Sequence, residues 1–86
     1  MTIGELREIA KCDPRLEDLL RSVFIEALKV FIEDLEYRIA ILRGGQGREI
    51  DLTAFKKAIL QLREECRRRG LHRLPMMTPS LVARYL

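Results

Sequence analysis

Tryptophan and asparagine are absent from this 86-residue chain, histidine occurs once and cysteine twice. Cys12, Cys66 and His72 are therefore the whole supply of soft metal ligands. A closed structural zinc site needs four, usually in pairs two to four residues apart, so no metal and no other cofactor is expected. Cys66 also continues the apolar row of its own helix, where a reduced cysteine behaves as a small hydrophobe. Catalytic groups are equally scarce. The one histidine sits in a connector beside an arginine, and Asp13 and Asp51 read as helix caps. The remaining carboxylates mostly lie at helical spacing from basic partners, as in Glu17–Arg21 and Asp34–Arg38, the pattern of surface ion pairs. No convergent set of acid, base and nucleophile emerges, and the chain reads as non-enzymatic. The glycines of "RGGQGR" (43–48) lack phosphate-loop spacing and follow a helix rather than a strand; they read as a hairpin turn that also carries Arg48.

Long apolar runs are missing too. The most apolar window, "SVFIEALKVFI" (22–32), is broken by Glu26 and Lys29 and is too short to cross a bilayer. "MTIGELREIAK" has no apolar h-region, so a cytoplasmic location without membrane contact is the expectation. Arginine outnumbers lysine twelve to four, a composition that fits a thermophile or a GC-rich genome.

Acid is missing from one region only. Residues 1–43 carry nine acids and seven bases, residues 44–66 four of each, and residues 67–86 five arginines and no acid. The net charge of +3 is thus a property of the C-terminal quarter. Such a patch can steer an anionic partner without making the whole surface adhesive.

No segment alternates with period 2 for long enough to form a strand, and the helical period dominates. Thr2 and Glu5 form a T-x-x-E capping box for a short first helix with Leu6, Ile9 and Ala10 inward. Pro14 should stop it near Cys12. Asp13 as N-cap and Pro14 at the first helical position then open a second helix. Nothing breaks that helix before Gly44 and Gly45, so it spans roughly 30 residues and about 45 Å. Its main apolar row is Leu20, Phe24, Leu28, Phe31, Leu35, Ile39 and Leu42. The steps follow an eleven-residue rhythm rather than a heptad. Leu16, Val23, Ala27 and Val30, with Ile25, Ile32 and Ile41, widen the apolar arc to most of the circumference, and such a helix must be covered on more than one side.

A third helix, capped by Asp51 with Ile50 and Phe55 as a hydrophobic staple, carries the row Leu52, Phe55, Ile59, Leu62, Cys66. It should end at Gly70 in a left-handed conformation, with Leu71 supplying the apolar contact that follows. Thr78 and Pro79 open a short fourth helix. The fold class is all-α: a long central helix packed antiparallel with the third, and short helices at both ends. The third helix, about 27 Å long, starts beyond the far end of the second and is too short to return along its full length. A Cys12–Cys66 disulfide is therefore not expected.

The same arithmetic leaves much of the second helix uncovered, and exposed apolar area of this kind marks an interface. The expectation is a helical-bundle homodimer built on Leu20, Phe24, Leu28, Phe31, Leu35 and Ile39, most simply antiparallel and two-fold. Residues 1–74 form the helical domain. Residues 75–86 form a docking segment for a second protein, presenting Met76, Met77, Leu81, Val82, Tyr85 and Leu86, as a short helix that can also pack on the domain. The function read from this pattern is a protein–protein interaction and scaffold subunit.

A rival reading starts from the arginines. Lys56, Arg63 and Arg67 fall within about 40° of one another on the third helix, with no acid between them, and Arg68 and Arg73 follow. Such a row suits the backbone of RNA or DNA, bound without base readout. No aromatic side chain sits among these residues for stacking, and the eight-residue turn before the helix is too long for a helix-turn-helix.

Overall fold

A computed structural model describes residues 1–47 and 49–85; Arg48 and Leu86 lie outside the described residues. The elements are α1 (Ile3–Ala10), α2 (Pro14–Leu42), α3 (Thr53–Arg68) and α4 (Pro79–Ala83), with no strand among the described residues.

The termini of the helices follow from local chemistry. Thr2 Oγ1 accepts the Glu5 N–H at 3.1 Å, Asp13 Oδ1 accepts the Leu16 N–H at 3.3 Å, and Thr78 Oγ1 accepts the Leu81 N–H at 3.3 Å. Each satisfies one of the donors that a helix start leaves without an intrahelical partner. Asp51 accepts instead from the Thr53 N–H at 2.8 Å, so α3 begins later than a helix capped by Asp51 would, with Leu52 in the cap position. Gly44 and Gly70 take φ of 79° and 78°, a region costly for any residue with a Cβ. After Gly70, the Leu71 N–H donates to the Cys66 carbonyl at 2.9 Å, and Leu71 packs against the core, as a Schellman ending requires.

α2 is the spine. At 1.5 Å per residue its 29 residues measure about 44 Å, nearly the whole 49 Å length of a molecule 20 Å across. The radius of gyration is 14.8 Å, against about 12 Å for a compact chain of this length. The elongation has a simple cause: the buried cluster is confined to one end. It consists of Ile3, Leu6 and Ala10 of α1, Leu16, Leu20, Val23 and Ala27 of α2, five residues of α3 from Phe55 to Cys66, and Val82 of α4. Beyond Ala27, α2 contributes no fully buried residue.

The path back from α2 differs from the sequence expectation. Between α2 and α3, the described residues Gln46, Gly47, Glu49 and Ile50 form a return segment that lies beside the distal part of α2. Gly47 lies so close to Tyr37 that a Cβ there would fall 1.8 Å from the ring. This retreat lets a 16-residue helix end at the beginning of α2, where Arg69 pairs with Asp13 and Arg15 lies 3.8 Å from Glu65. The hairpin therefore closes more fully than helix lengths alone suggested. Cys12 and Cys66 are both free thiols, the first exposed and the second buried.

The C-terminal segment is part of this core. Val82 is 1% exposed, and Leu74, Met77 and Leu81 pack against the buried cluster. Arg7 of α1 donates to the Tyr85 carbonyl at 3.1 Å while its guanidinium lies 5.5 Å from the Phe24 ring centroid, a cation–π distance. The tail fills the gap that α1 and α3, both shorter than α2, leave open.

Candidate functional site

Two surfaces stand out among the described residues. The first is the distal half of α2. Of the six residues expected to form one association and core row, Leu20 is buried and Phe24 packs against the core, whereas Leu28, Phe31, Leu35 and Ile39 are exposed by 42 to 49%. Ile25 and Ile32 are as open, and Leu42 is 86% exposed. The continuous row is thus split. Its first part serves the chain's own core and its second part faces outward, because no other helix extends far enough to cover it. The return segment takes up a different flank, where Gln46, Gly47 and Ile50 form a small groove with Glu33, Tyr37 and Ala40. On a helix these residues lie more than about 80° from Leu28 and Leu35.

The second surface is the basic stripe on α3. Lys56, Arg63 and Arg67 are exposed, as is Arg73 beyond the helix, and among the described residues none of the four forms an ion pair. Lys56 and Arg63 flank a shallow groove whose walls include Phe55, Ile59 and Met77. Arg68 differs from the other four. It is engaged by Glu65 at 2.8 Å and Glu64 at 3.5 Å, so its charge is largely matched within its own helix.

Arg69, by contrast, acts across the fold. It donates to both Asp13 and Glu65, and these hydrogen bonds hold both carboxyls below the ordinary carboxylate range. Sequence spacing accounts for the Glu65 pair alone. Asp13 is 56 positions away, and only the retreat of the return segment brings it within reach.

Of the proposed docking residues, Val82, Met77 and Leu81 are committed to the core, Met76 is 74% exposed and Tyr85 is partly exposed. Leu86 lies outside the described residues. Among the described residues no three His, Cys, Asp or Glu side chains converge as a metal site would need, and no helix is long and apolar enough to cross a membrane. Burial pushes the Cys66 thiol up, away from the thiolate form that nucleophilic chemistry uses. Compared with protein-family models, curated proteins and solved structures, the chain finds no match.

Proposed function

We propose that this chain is a small helical interaction subunit that self-associates through the distal half of α2 and acts as a scaffold in a larger assembly. One observation carries the reading: seven large apolar side chains from Ile25 to Leu42 lie open on one side of a single helix, while the core at the other end is complete without them. Contiguous apolar surface of this kind on a water-soluble fold marks a place where protein binds. The scaffold role follows from the division of labour, since one end holds the fold and the other is left for contact. Met76 and Tyr85, outward from the same core, suit the second protein that the tail would meet.

The test is the mass in solution by light scattering or sedimentation, with Leu35→Asp as the control. The expected result is a species of twice 10.1 kDa that becomes monomeric in the variant, with helicity retained. A wild-type chain that stays monomeric at about 100 µM, weaker than an affinity near 5 kcal/mol, would remove self-association from the reading.

The unpaired cations support a second reading, a small subunit associated with an RNA or DNA backbone. Lys56, Arg63, Arg67 and Arg73 offer about four phosphate contacts, which predicts a salt slope near −3 to −4 on a duplex. Arg63→Glu with Arg67→Glu should flatten it. Absence of binding to any duplex or single strand at low salt ends this alternative.

A further inference from the structure

The exposed side of distal α2 is not the row that the sequence periodicity suggested. Among the exposed apolar residues of this stretch, Ile25, Leu28, Ile32, Leu35, Ile39 and Leu42 share one arc and are spaced 3, 4, 3, 4, 3, with the exposed Phe31 at its edge and the exposed Ile41 on another side of the helix. That is a heptad seam, with isoleucine at every a position and leucine at every d. The eleven-residue rhythm arose from joining core residues Leu20 and Phe24 to Leu28, Leu35, Ile39 and Leu42 through Phe31, in place of Ile25 and Ile32. At 100° per residue the seam occupies an arc of about 100°, centred about 120° from the buried face of Leu16, Leu20, Val23 and Ala27.

Resting on the self-association proposed above, we infer that the occupant of this seam is the same seam of a second copy, running antiparallel, with the two-fold axis between Ile32 and Leu35. In that register Ile25 faces the second copy's Leu42, Leu28 faces Ile39, and Ile32 faces Leu35, so every layer joins one isoleucine to one leucine. The pattern is self-complementary, as an isologous interface must be.

Charge selects the direction. Flanking the seam on one side, at the e positions, are Lys29, Glu36 and Arg43; on the other, at the g positions, are Phe24, Phe31 and Arg38. The e and g side chains set orientation in two-stranded coils. Antiparallel pairing brings e against e and g against g. Glu36, which forms no ion pair among the described residues, then meets Lys29 of the second copy, itself held by Glu26 of its own helix at 3.1 Å, twice per dimer. Arg38, held by Asp34 at 3.0 Å, meets the ring of Phe31, also twice, in a cation–π arrangement. Parallel pairing brings g against e instead. It would set Arg38 against Arg43, Glu36 against Phe31 and Lys29 against Phe24, which already packs on the core, so the Glu36–Lys29 pair is lost and an arginine repulsion gained.

Charge exchange across the seam is the test, read as the dimer dissociation constant by sedimentation equilibrium. Glu36→Lys should weaken the dimer about tenfold, because two surface attractions become two repulsions. Adding Lys29→Glu in the same chain should restore it, which a parallel dimer would not do. Orientation is read separately in a Cys12→Ser background, leaving buried Cys66 in place. Ile25→Cys chains mixed with Leu42→Cys chains should form a disulfide between the two kinds and none between Ile25→Cys chains. A dimer in which Ile25→Cys links to itself, or in which the double exchange fails to restore affinity, overturns the antiparallel seam and leaves self-association standing. A wild-type monomer overturns both.

Discussion

Arg69, the residue that closes α3, donates through Nη2 to Oδ1 of Asp13 at 3.2 Å, and Asp13 is the residue that caps α2. One carboxylate therefore holds the start of one helix and the end of another. Arg69 also pairs with Glu65, which Arg15 and Arg68 engage in turn, and the junction is a small charged network.

That network predicts an acid limit to the fold. Asp13 and Glu65 have carboxyls held down chiefly by hydrogen bonds from Arg69, so the folded state binds protons less readily there than the unfolded chain does. Their contribution is fully present above the ordinary carboxylate values of the unfolded chain and is lost as pH falls through the lowered folded values. Arg69→Met removes the cause. The acid unfolding midpoint, followed by circular dichroism, should move to higher pH than in the parent chain.

The tail supplies a second prediction. Val82 is 1% exposed, so Val82→Ala should cost about 2 kcal/mol in urea unfolding, from lost burial and the cavity left behind. Deleting residues 75–86 should remove cooperative unfolding altogether, because a single core of this size has little stability in reserve. A tail that served docking alone would leave the curve unchanged.

The two cysteines should separate under a thiol reagent. Cys12 is exposed and Cys66 buried, with its thiol pushed up by that burial. Maleimide counted by mass spectrometry should add once in native buffer and twice in denaturant.

Gly47 and Tyr37 offer a double-mutant cycle. A Cβ at Gly47 would fall 1.8 Å from Tyr37 Cε2, so Gly47→Ala must displace a half-open ring and should cost about 1 kcal/mol. In a Tyr37→Ala background the same change should be nearly neutral, giving a coupling energy of the size expected for residues in contact.

Most of the architecture was legible in the sequence because it rests on local signals. Thr2, Asp13, Thr78, Pro14, Pro79 and Gly70 each act on residues within a few positions, and each marks an element's end as expected. The i,i+4 pairs Glu17–Arg21 and Asp34–Arg38 are present for the same reason. What composition and period could not give was the path of the return segment, since Gly47 meets Tyr37 through tertiary packing alone. Its retreat along α2 places α3, closes Asp13 on Arg69 and leaves the tail to fill the core. The division of α2 into an inward row and an outward row was hidden for a related reason. Both rows are apolar at helical spacing, and only the position of their neighbours distinguishes Leu20 from Leu28.

The uneven cover of α2 also makes one continuous helix behave as two in time. Amide hydrogens near Val23 lie within a helix wall that opens only when the whole core does, whereas those near Ile39 are guarded by little beyond their own backbone bonds. Hydrogen exchange should therefore report global unfolding at one end and local fraying at the other, with a boundary close to Ala27, the last buried residue of α2. A second chain laid along the seam would slow exchange at the frayed end first, so the order in which amides become protected would trace the arrival of the partner along the helix.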